Sequence, residues 1–418
     1  MNQNCNKEIC IAVIGAGRAT ELHMEAIKRV KTVSIRKKWI VSKTNERLMI
    51  SKNRFNFEFS TFDFDKVLED PEVDVIDICT PPYSHYEMIS KAIKAKKHVI
   101  CEKPISGYFG VDSDLKPIGK NVSKLKMYSK LCEELDELSE LIRDNPNITF
   151  MYAENFIYAP AVTKAVEIIS SKKSTILYAK GEESLKGSSS PVAGDWSKTG
   201  GGTFIRTGSH PLSAILYLKN EEAKAKSTHV YVKSIFADMS TVTDILSTHE
   251  HRHISANPID VEDAGTLIIT FSDGTKANIV ATDTLLGGSK NEIELYCNDV
   301  AIKCKLTLND LMQTYLLDSD GLDNVEFSEM LPSKLGWNNL FISDDIIRGY
   351  VDEMQDFSEC VAYGKKPKSN FYLAYDTIKI IYAAYLSSEL GKRIDFVRKE
   401  DTPENTVGSL LMDYEISF

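Results

Sequence analysis

The residues able to do chemistry in this chain begin with a glycine turn and a lysine. Gly15-Ala16-Gly17 follows the apolar run Ile9 to Ile14, and Lys103 closes the run His98-Val99-Ile100-Cys101-Glu102-Lys103-Pro104. Glycines at 15 and 17 let the backbone turn sharply and approach a pyrophosphate, whose charge then rests on the amino end of the following helix. The turn continues through Arg18, Ala19 and Thr20, and Thr20 stands where the usual pattern has its third glycine. A lysine at the carboxyl end of a parallel strand, beside such a turn, puts a cation where a hydride acceptor would lie.

The next apolar run ends Ile40-Val41-Ser42-Lys43-Thr44 without the carboxylate that would grip an NAD ribose. This favours NADP, with NAD as the second option. Ser42 can hydrogen-bond a 2′-phosphate and Lys43 can neutralise it; the competing reading is a solvated strand end. Thr80-Pro81-Pro82-Tyr83-Ser84-His85 follows a third run and turns the chain across the cofactor cleft, so Thr80 and Pro81 join Glu102 and Lys103 as candidate cofactor contacts. His85 either touches the cofactor or caps the next helix.

These residues need strands to hold them. Ile9 to Ile14, Trp39 to Val41, Val73 to Cys79 and Val99 to Cys101 read as strands, and helical segments at Ala19 to Val30 and Tyr86 to Lys96 imply parallel crossovers. The expected fold class is α/β: an N-terminal Rossmann domain with a doubly wound parallel sheet over residues 1–150. It is interrupted by a polar loop insertion over about 107–126. Met127 to Arg143 resumes a helix, and Ile148 to Tyr152 closes the domain. Residues 151–418 read as an α+β domain on a large, mostly antiparallel open sheet. Its strands are Thr175 to Lys180, His229 to Phe236, Ala264 to Phe271, Lys276 to Thr282 and Asn291 to Cys297. Ser272-Asp273-Gly274 is a hairpin turn. Late helices are expected at Asp344 to Tyr363 and Leu373 to Leu390.

Composition narrows the functions. A net charge of −10 over 418 residues, with only short basic runs, argues against nucleic-acid binding. No apolar run reaches a membrane span, and Met1 to Glu8 is too polar for a secretory signal, so the expected location is the cytoplasm. The eight cysteines are scattered without CxxC spacing and read as reduced thiols. His249, His251 and His253 would share one face of a strand, as metal ligands can, but their polar surroundings read as a surface loop and no metal is assigned.

Gly15-Ala16-Gly17, Thr80-Pro81-Pro82, Cys101-Glu102-Lys103-Pro104, Thr199-Gly200-Gly201-Gly202 and Gly208-Ser209-His210-Pro211 together resemble the glucose-fructose oxidoreductase/inositol dehydrogenase/rhizopine catabolism (Gfo/Idh/MocA) family. The resemblance extends to Asp356-Phe357 and the Gly364-Lys365-Lys366-Pro367 turn. It implies that Lys103 contacts both cofactor and the reacting hydroxyl, and that His210 is the general acid or base. An imidazole suits that role near neutral pH, and Lys103 would stabilise a developing alkoxide. Where the family often has an Asp four residues before the histidine, this chain has Arg206. That cation would depress the His210 pKa. Arg206 either binds an anionic group of a sugar acid or phosphorylated substrate, or forms a structural ion pair with Glu154, Glu182 or Asp195. Glu154 and Tyr158 can hydrogen-bond sugar hydroxyls, although Tyr158 is equally suited to packing. Trp196 can stack on a sugar face.

The leading function is hydride transfer between NAD(P) and a secondary hydroxyl or ketone of a sugar, cyclitol or sugar acid, in a homodimer or homotetramer. One alternative is a transient-redox lyase, hydrolase or epimerase that recycles its cofactor. Another is a cofactor-binding regulator without catalysis.

Overall fold

A computed structural model describes residues 7–306, 312–316, 333, 335–340, 344–399 and 408–417. The first sheet consists of β1 (Glu8–Ile14), β2 (Ser34–Val41), β3 (Phe59–Thr61), β4 (Val75–Ile78), β5 (His98–Glu102) and β6 (Phe150–Ala153). Their spatial order is β3-β2-β1-β4-β5-β6, and every pairing is parallel. β1 and β4 are buried almost throughout because helices cover both faces, which is why they read as unbroken apolar runs. The chain order reverses between β1 and β4, so the crevice at their carboxyl ends is where a doubly wound sheet takes its ligand.

The second sheet is mixed. It consists of β7 (Ile176–Ser184), β8 (Val232–Ser240), β9 (Ala264–Phe271), β10 (Lys276–Thr282), β11 (Lys290–Cys297) and β12 (Ala301–Lys305), with two strands from the chain's end. A separate hairpin pairs β13 (Met312–Leu316) with β14 (Gly336–Leu340). β15 (Ile394–Arg398) and β16 (Tyr414–Ser417) complete the large sheet in the order β12-β11-β7-β10-β9-β8-β15-β16. All of its pairings are antiparallel except β7 with β10. The expected strands are present, each shifted by a few residues or fewer at its ends.

Several elements differ from expectation. The 107–126 insertion is ordered and includes a helical turn at Ile118–Asn121. The Gly119 N–H donates to Asp260 at 2.8 Å, and the Trp196 indole donates to the Tyr108 carbonyl at 3.0 Å, which ties the insertion to the second sheet's loops. Helix Ser209–Lys226 escaped the sequence because it is buried around most of its circumference, leaving no polar stripe to mark its period. The helix expected from Asp344 breaks at Gly349, whose φ is +93°, and restarts as Tyr350–Tyr363. That second segment packs back onto the first domain: the Tyr363 hydroxyl donates to the Thr32 carbonyl at 2.8 Å. Helix Phe371–Leu390 is buried over almost its whole length, and Tyr375 and Tyr382 reach from it to Asp136 and Tyr108. Among the described residues no helix is long and apolar enough to cross a membrane.

Candidate active site

Gly15 and Gly17 are glycines for different reasons. Gly15 sits at φ +117°, and a Cβ there would lie 2.4 Å from the Cys79 carbonyl oxygen, so β1 and β4 can approach only without a side chain. A Cβ on Gly17 would meet no protein atom within 4 Å. It would instead occupy the open space at the amino end of helix Arg18–Ile27, where a phosphate would approach. A cleft of about 380 Å³ opens there, lined by the glycine turn, Val41 to Thr44, Arg47, Phe62, Phe64 and the Cys79 to Ser84 loop. The chain thus presents the cradle that a dinucleotide requires.

The expected cofactor contacts separate into two groups. Gly15, Gly17, Ser42, Lys43, Thr80 and Pro81 line the cleft. Arg18, Ala19, Thr20, His85, Glu102 and Lys103 are not among its lining. Thr20 is fully buried and its hydroxyl donates to the Gly15 carbonyl at 3.0 Å, bracing the turn from inside. Arg18 pairs with Glu21 at 3.1 Å on the surface. His85 neither caps its helix nor faces the cofactor cleft. Its ring nitrogens lie 2.7 Å from the carbonyls of Pro104 and Thr80, clamping the two loops together. Sequence reasoning missed Arg47, Phe62 and Phe64; the basic Arg47 one helical turn beyond Lys43 was the available signal.

Lys103 and His210 converge on one buried cluster. Lys103 directly follows β5, and its ammonium donates to the Arg206 carbonyl, which a π-helical turn at Phe204–Gly208 brings round. That turn leads into helix Ser209–Lys226 and delivers His210, 5% exposed, with its ring stacked on Phe156 at 4.7 Å. The Nδ1 atom of His210 lies 2.7 Å from Glu154 Oε1, just beyond β6. With its proton on Nδ1 donated to the Glu154 carboxylate, His210 keeps the Nε2 lone pair as its basic atom. Glu154 thus spends Oε1 on the histidine, while its Oε2 is buried with no hydrogen-bond partner among the described residues.

Burial dominates the electrostatics. It pushes the His210 imidazole well below its ordinary pKa, and the cations Lys103 and Arg348 push the same way. It pushes the Glu154 carboxyl well above its ordinary value against the attraction of Lys103. Burial also lowers the Lys103 ammonium, while Glu102, Glu183 and Glu154 hold it up. Arg348 and Glu183 were missed in the sequence. Arg348 lies 3.7 Å from Glu183 on β7 and 5.9 Å from the Phe156 ring.

Three substrate expectations are corrected. Arg206 pairs with Asp283 at the end of β10, not with Glu154, Glu182 or Asp195. Glu262 and Asp263 line the same small cavity, so its surroundings are acidic and do not suit an anionic substrate group. Nor is Arg206 among the charges that depress His210. Trp196 is 2% exposed, tilted against Tyr385 at 4.8 Å and covered by the Lys124 ammonium 4.4 Å from its ring, so no face is open to a sugar. Tyr158 is buried, donating to Asp356 at 2.7 Å and accepting from the Ser369 N–H at 3.0 Å, which is the packing role. His249, His251 and His253 lie in and beside a 3₁₀ turn, where alternate residues do not share a face.

A phosphate cradle at the switch point of a parallel sheet, followed by a covered lysine, histidine and glutamate, defines the class: an NAD-binding oxidoreductase fold in two parts. Residues 9–110 match the family described as "Oxidoreductase family, NAD-binding Rossmann fold", and residues 174–303 match the "GFO/IDH/MocA C-terminal domain". The chain belongs to the Gfo/Idh/MocA oxidoreductase family. It is 26% identical over 253 residues to levoglucosan dehydrogenase of Pseudarthrobacter phenanthrenivorans, covering 58% of each chain. It is also 26% identical over 235 residues to myo-inositol 2-dehydrogenase of Thermotoga maritima, covering 56% of this chain and 59% of that one. The matched stretch thus spans little more than half of these curated relatives. The fold extends further. The structure of GenD2 from gentamicin A biosynthesis in complex with NAD superposes with a TM-score of 0.72 at 18% identity, covering 94% of this chain and 98% of that one. Levoglucosan dehydrogenase in complex with NADH and levoglucosan gives 0.69 at 23%, covering 93% and 99%.

Proposed function

We propose that this chain moves hydride between a nicotinamide cofactor, NADP by preference, and a secondary hydroxyl or ketone of a neutral sugar or cyclitol. The observation that carries the reading is the convergence of Lys103 from β5 and His210 from the second domain on one buried cluster, with Glu154 fixing the histidine. Gly15, Gly17, Thr80, Pro81 and the Ser42-Lys43-Thr44 edge would hold the cofactor, which when bound accepts or gives the hydride.

The chain's own residues handle the proton and the charge. His210 takes the hydroxyl proton at Nε2. Its Nδ1 proton can pass at the same time to Glu154, a carboxyl made more basic by burial, so no net charge is created on the ring. Lys103 stabilises the alkoxide oxygen as it develops. Burial of this cluster keeps water from competing for either contact.

The NADP preference rests on the mouth of the cleft. Ser42, Lys43 and Arg47 line it and, among the described residues, no carboxylate does, which suits a 2′-phosphate better than a bare ribose. The acidic surroundings of Arg206 favour neutral substrates over sugar acids. Assembly into a homodimer or homotetramer fits the open face of the large sheet, where Phe236 and Ile268 pair across β8 and β9 while remaining 44% and 39% exposed.

The test is incubation with a panel of sugars, cyclitols and sugar acids under both cofactors, following reduced-nicotinamide absorbance and product mass. Net reduction with a neutral polyol supports the proposal. Product without net reduction would replace it with transient redox, and cofactor binding without turnover would replace it with a regulator.

A further inference from the structure

We propose that His23 is a positioning residue which, acting through Glu102, holds Lys103 in place as a cation. The inference rests on Lys103 being the reacting cation. His23 lies on helix Arg18–Ile27, is 0% exposed, and is not among the residues lining the cofactor cleft.

The geometry is a line of alternating charge beneath the carboxyl ends of β4 and β5. His23 Nδ1 lies 3.0 Å from both carboxylate oxygens of Asp77, and Nε2 lies 3.3 Å from Glu102 Oε1. An imidazole placed between two carboxylates serves both only when both nitrogens carry protons. The other Glu102 oxygen accepts the Lys103 backbone N–H at 3.1 Å. Asp77, His23 and Glu102 thus run minus, plus, minus up to the backbone of Lys103, whose ammonium donates to the Arg206 carbonyl and feels Glu102 through space. A buried charge is tolerable when each neighbour compensates it, and removing one link exposes the next to the cost of burial.

The direction of each titration agrees. Burial opposes charge on His23, but Asp77 and Cys79 outweigh it and raise the imidazole well above its ordinary pKa. Burial likewise opposes the Glu102 carboxylate, yet His23 and then Lys103 pull it down. Burial lowers Lys103, and Glu102 is foremost among the groups that counter it.

Other groups face this line, and Glu102 also meets the buried His85. Lys103 also meets Glu154 after β6, Glu183 on β7 and Arg206, and it acts on His210. His23 also meets Cys79, with Glu353 and Tyr350 from helix Tyr350–Tyr363. Burial drives the Glu353 carboxyl well above its ordinary pKa, against the pull of His23, and neither of its oxygens has a hydrogen-bond partner among the described residues. His23, Asp77 and Cys79 have ligand atoms within 4.8 Å of one another, a spacing a metal ion could use. Here those atoms are joined by hydrogen bonds of 3.0 to 3.4 Å, and the second histidine nitrogen faces Glu102 at ion-pair distance, 3.3 Å, without a formed hydrogen bond among the described residues, so the grouping serves as a relay of charge.

The test is a titration of the Lys103 ammonium by NMR in the full chain carrying ¹³C-labelled lysine, its resonance assigned by its loss in Lys103→Arg. Without the imidazolium, Glu102 takes a proton more readily and ceases to support the ammonium. The Lys103 midpoint should therefore fall by about half a pH unit or more in His23→Gln and in Glu102→Gln alike, with no further fall in the double variant. Turnover should follow the same pattern: kcat about tenfold lower in each, KM within about twofold, and the double variant no worse than Glu102→Gln. An unchanged midpoint in both single variants overturns the proposal, as does a double variant whose losses multiply. Should His23→Gln not fold, Glu102→Gln alone reports the link to Lys103, and the shorter neutral amide of His23→Asn reports the other half. The NMR arm needs no substrate, so absence of turnover in the wild-type chain would refute the function proposed above while leaving this titration to decide on His23.

Discussion

Replacing each glycine of the nucleotide turn by alanine separates a structural role from a binding one. In Gly15→Ala the new Cβ would sit 2.4 Å from the Cys79 carbonyl oxygen and 2.7 Å from its carbon, at a backbone φ of +117°. The strained φ costs about 1–3 kcal/mol, and relieving the overlap by shifting backbone costs about as much again. The shift also falls on β4, because the Cys79 N–H donates to the Ile14 carbonyl across the same strand pair at 2.8 Å. A total of about 2–6 kcal/mol should lower the thermal midpoint by several degrees. Gly17→Ala meets nothing within 4 Å and should leave the midpoint within about a degree. Its methyl group instead enters the space a phosphate needs. Loss of close approach there should weaken NADH or NADPH binding about 100-fold, near 2.7 kcal/mol. Thermal unfolding followed by circular dichroism, with cofactor fluorescence titration on the same samples, reads both quantities. A Gly17→Ala chain that binds cofactor as tightly as wild type would refute the phosphate-cradle reading. So would a Gly15→Ala chain as stable as wild type that loses only binding.

Four further outcomes follow from the site. Lys43→Ala should raise the Kd for NADPH about tenfold and that for NADH by less than about twofold, measured by fluorescence titration; equal losses would remove Lys43 from 2′-phosphate recognition. Because burial depresses the His210 pKa, its neutral, basic form persists below pH 6.5, so the acid limb of kcat/KM for alcohol oxidation should fall below that value. The same shift means that the folded state binds fewer protons than the unfolded chain as pH falls through about 6.5, where stability should decline; His210→Asn should flatten that decline and cost about 10²–10⁴ in kcat. Asp283→Ala leaves the Arg206 guanidinium without its partner and should cost about 3 kcal/mol of stability, with equal losses of activity on neutral and acidic sugars. A selective loss on acidic sugars would restore Arg206 as an anion receptor.

How much of this was legible in the sequence depended on the reach of each interaction. β1, the glycine turn and the Ser42-Lys43 edge are local features, set by apolar runs and by what a tight turn allows, and they are where the residues placed them. The position of Lys103 just after β5 was legible for the same reason. Trp196 and Tyr158 were misread because an aromatic ring has the same sequence signature whether it faces a cavity or a core. Their partners Tyr385 and Asp356 lie far along the chain. Arg206 found Asp283, a partner supplied by the end of β10 that no local spacing indicates. Glu183 and Arg348 stayed hidden because one is the second of two acids at the end of a strand and the other follows a short helical turn, and only the fold carries them to Lys103 and His210.

The central claim is that Lys103 and His210 form one reacting pair across the two domains. The most direct test is single-turnover kinetics of reduced-nicotinamide absorbance with a polyol substrate in wild type, Lys103→Met, His210→Asn and the double variant, with cofactor affinity measured in parallel. Each single change should slow hydride transfer at least about 100-fold without a comparable loss of cofactor binding, and the double variant should be slower than either by much less than the product of the two losses. Hydride transfer at wild-type rates in either single variant would contradict the account.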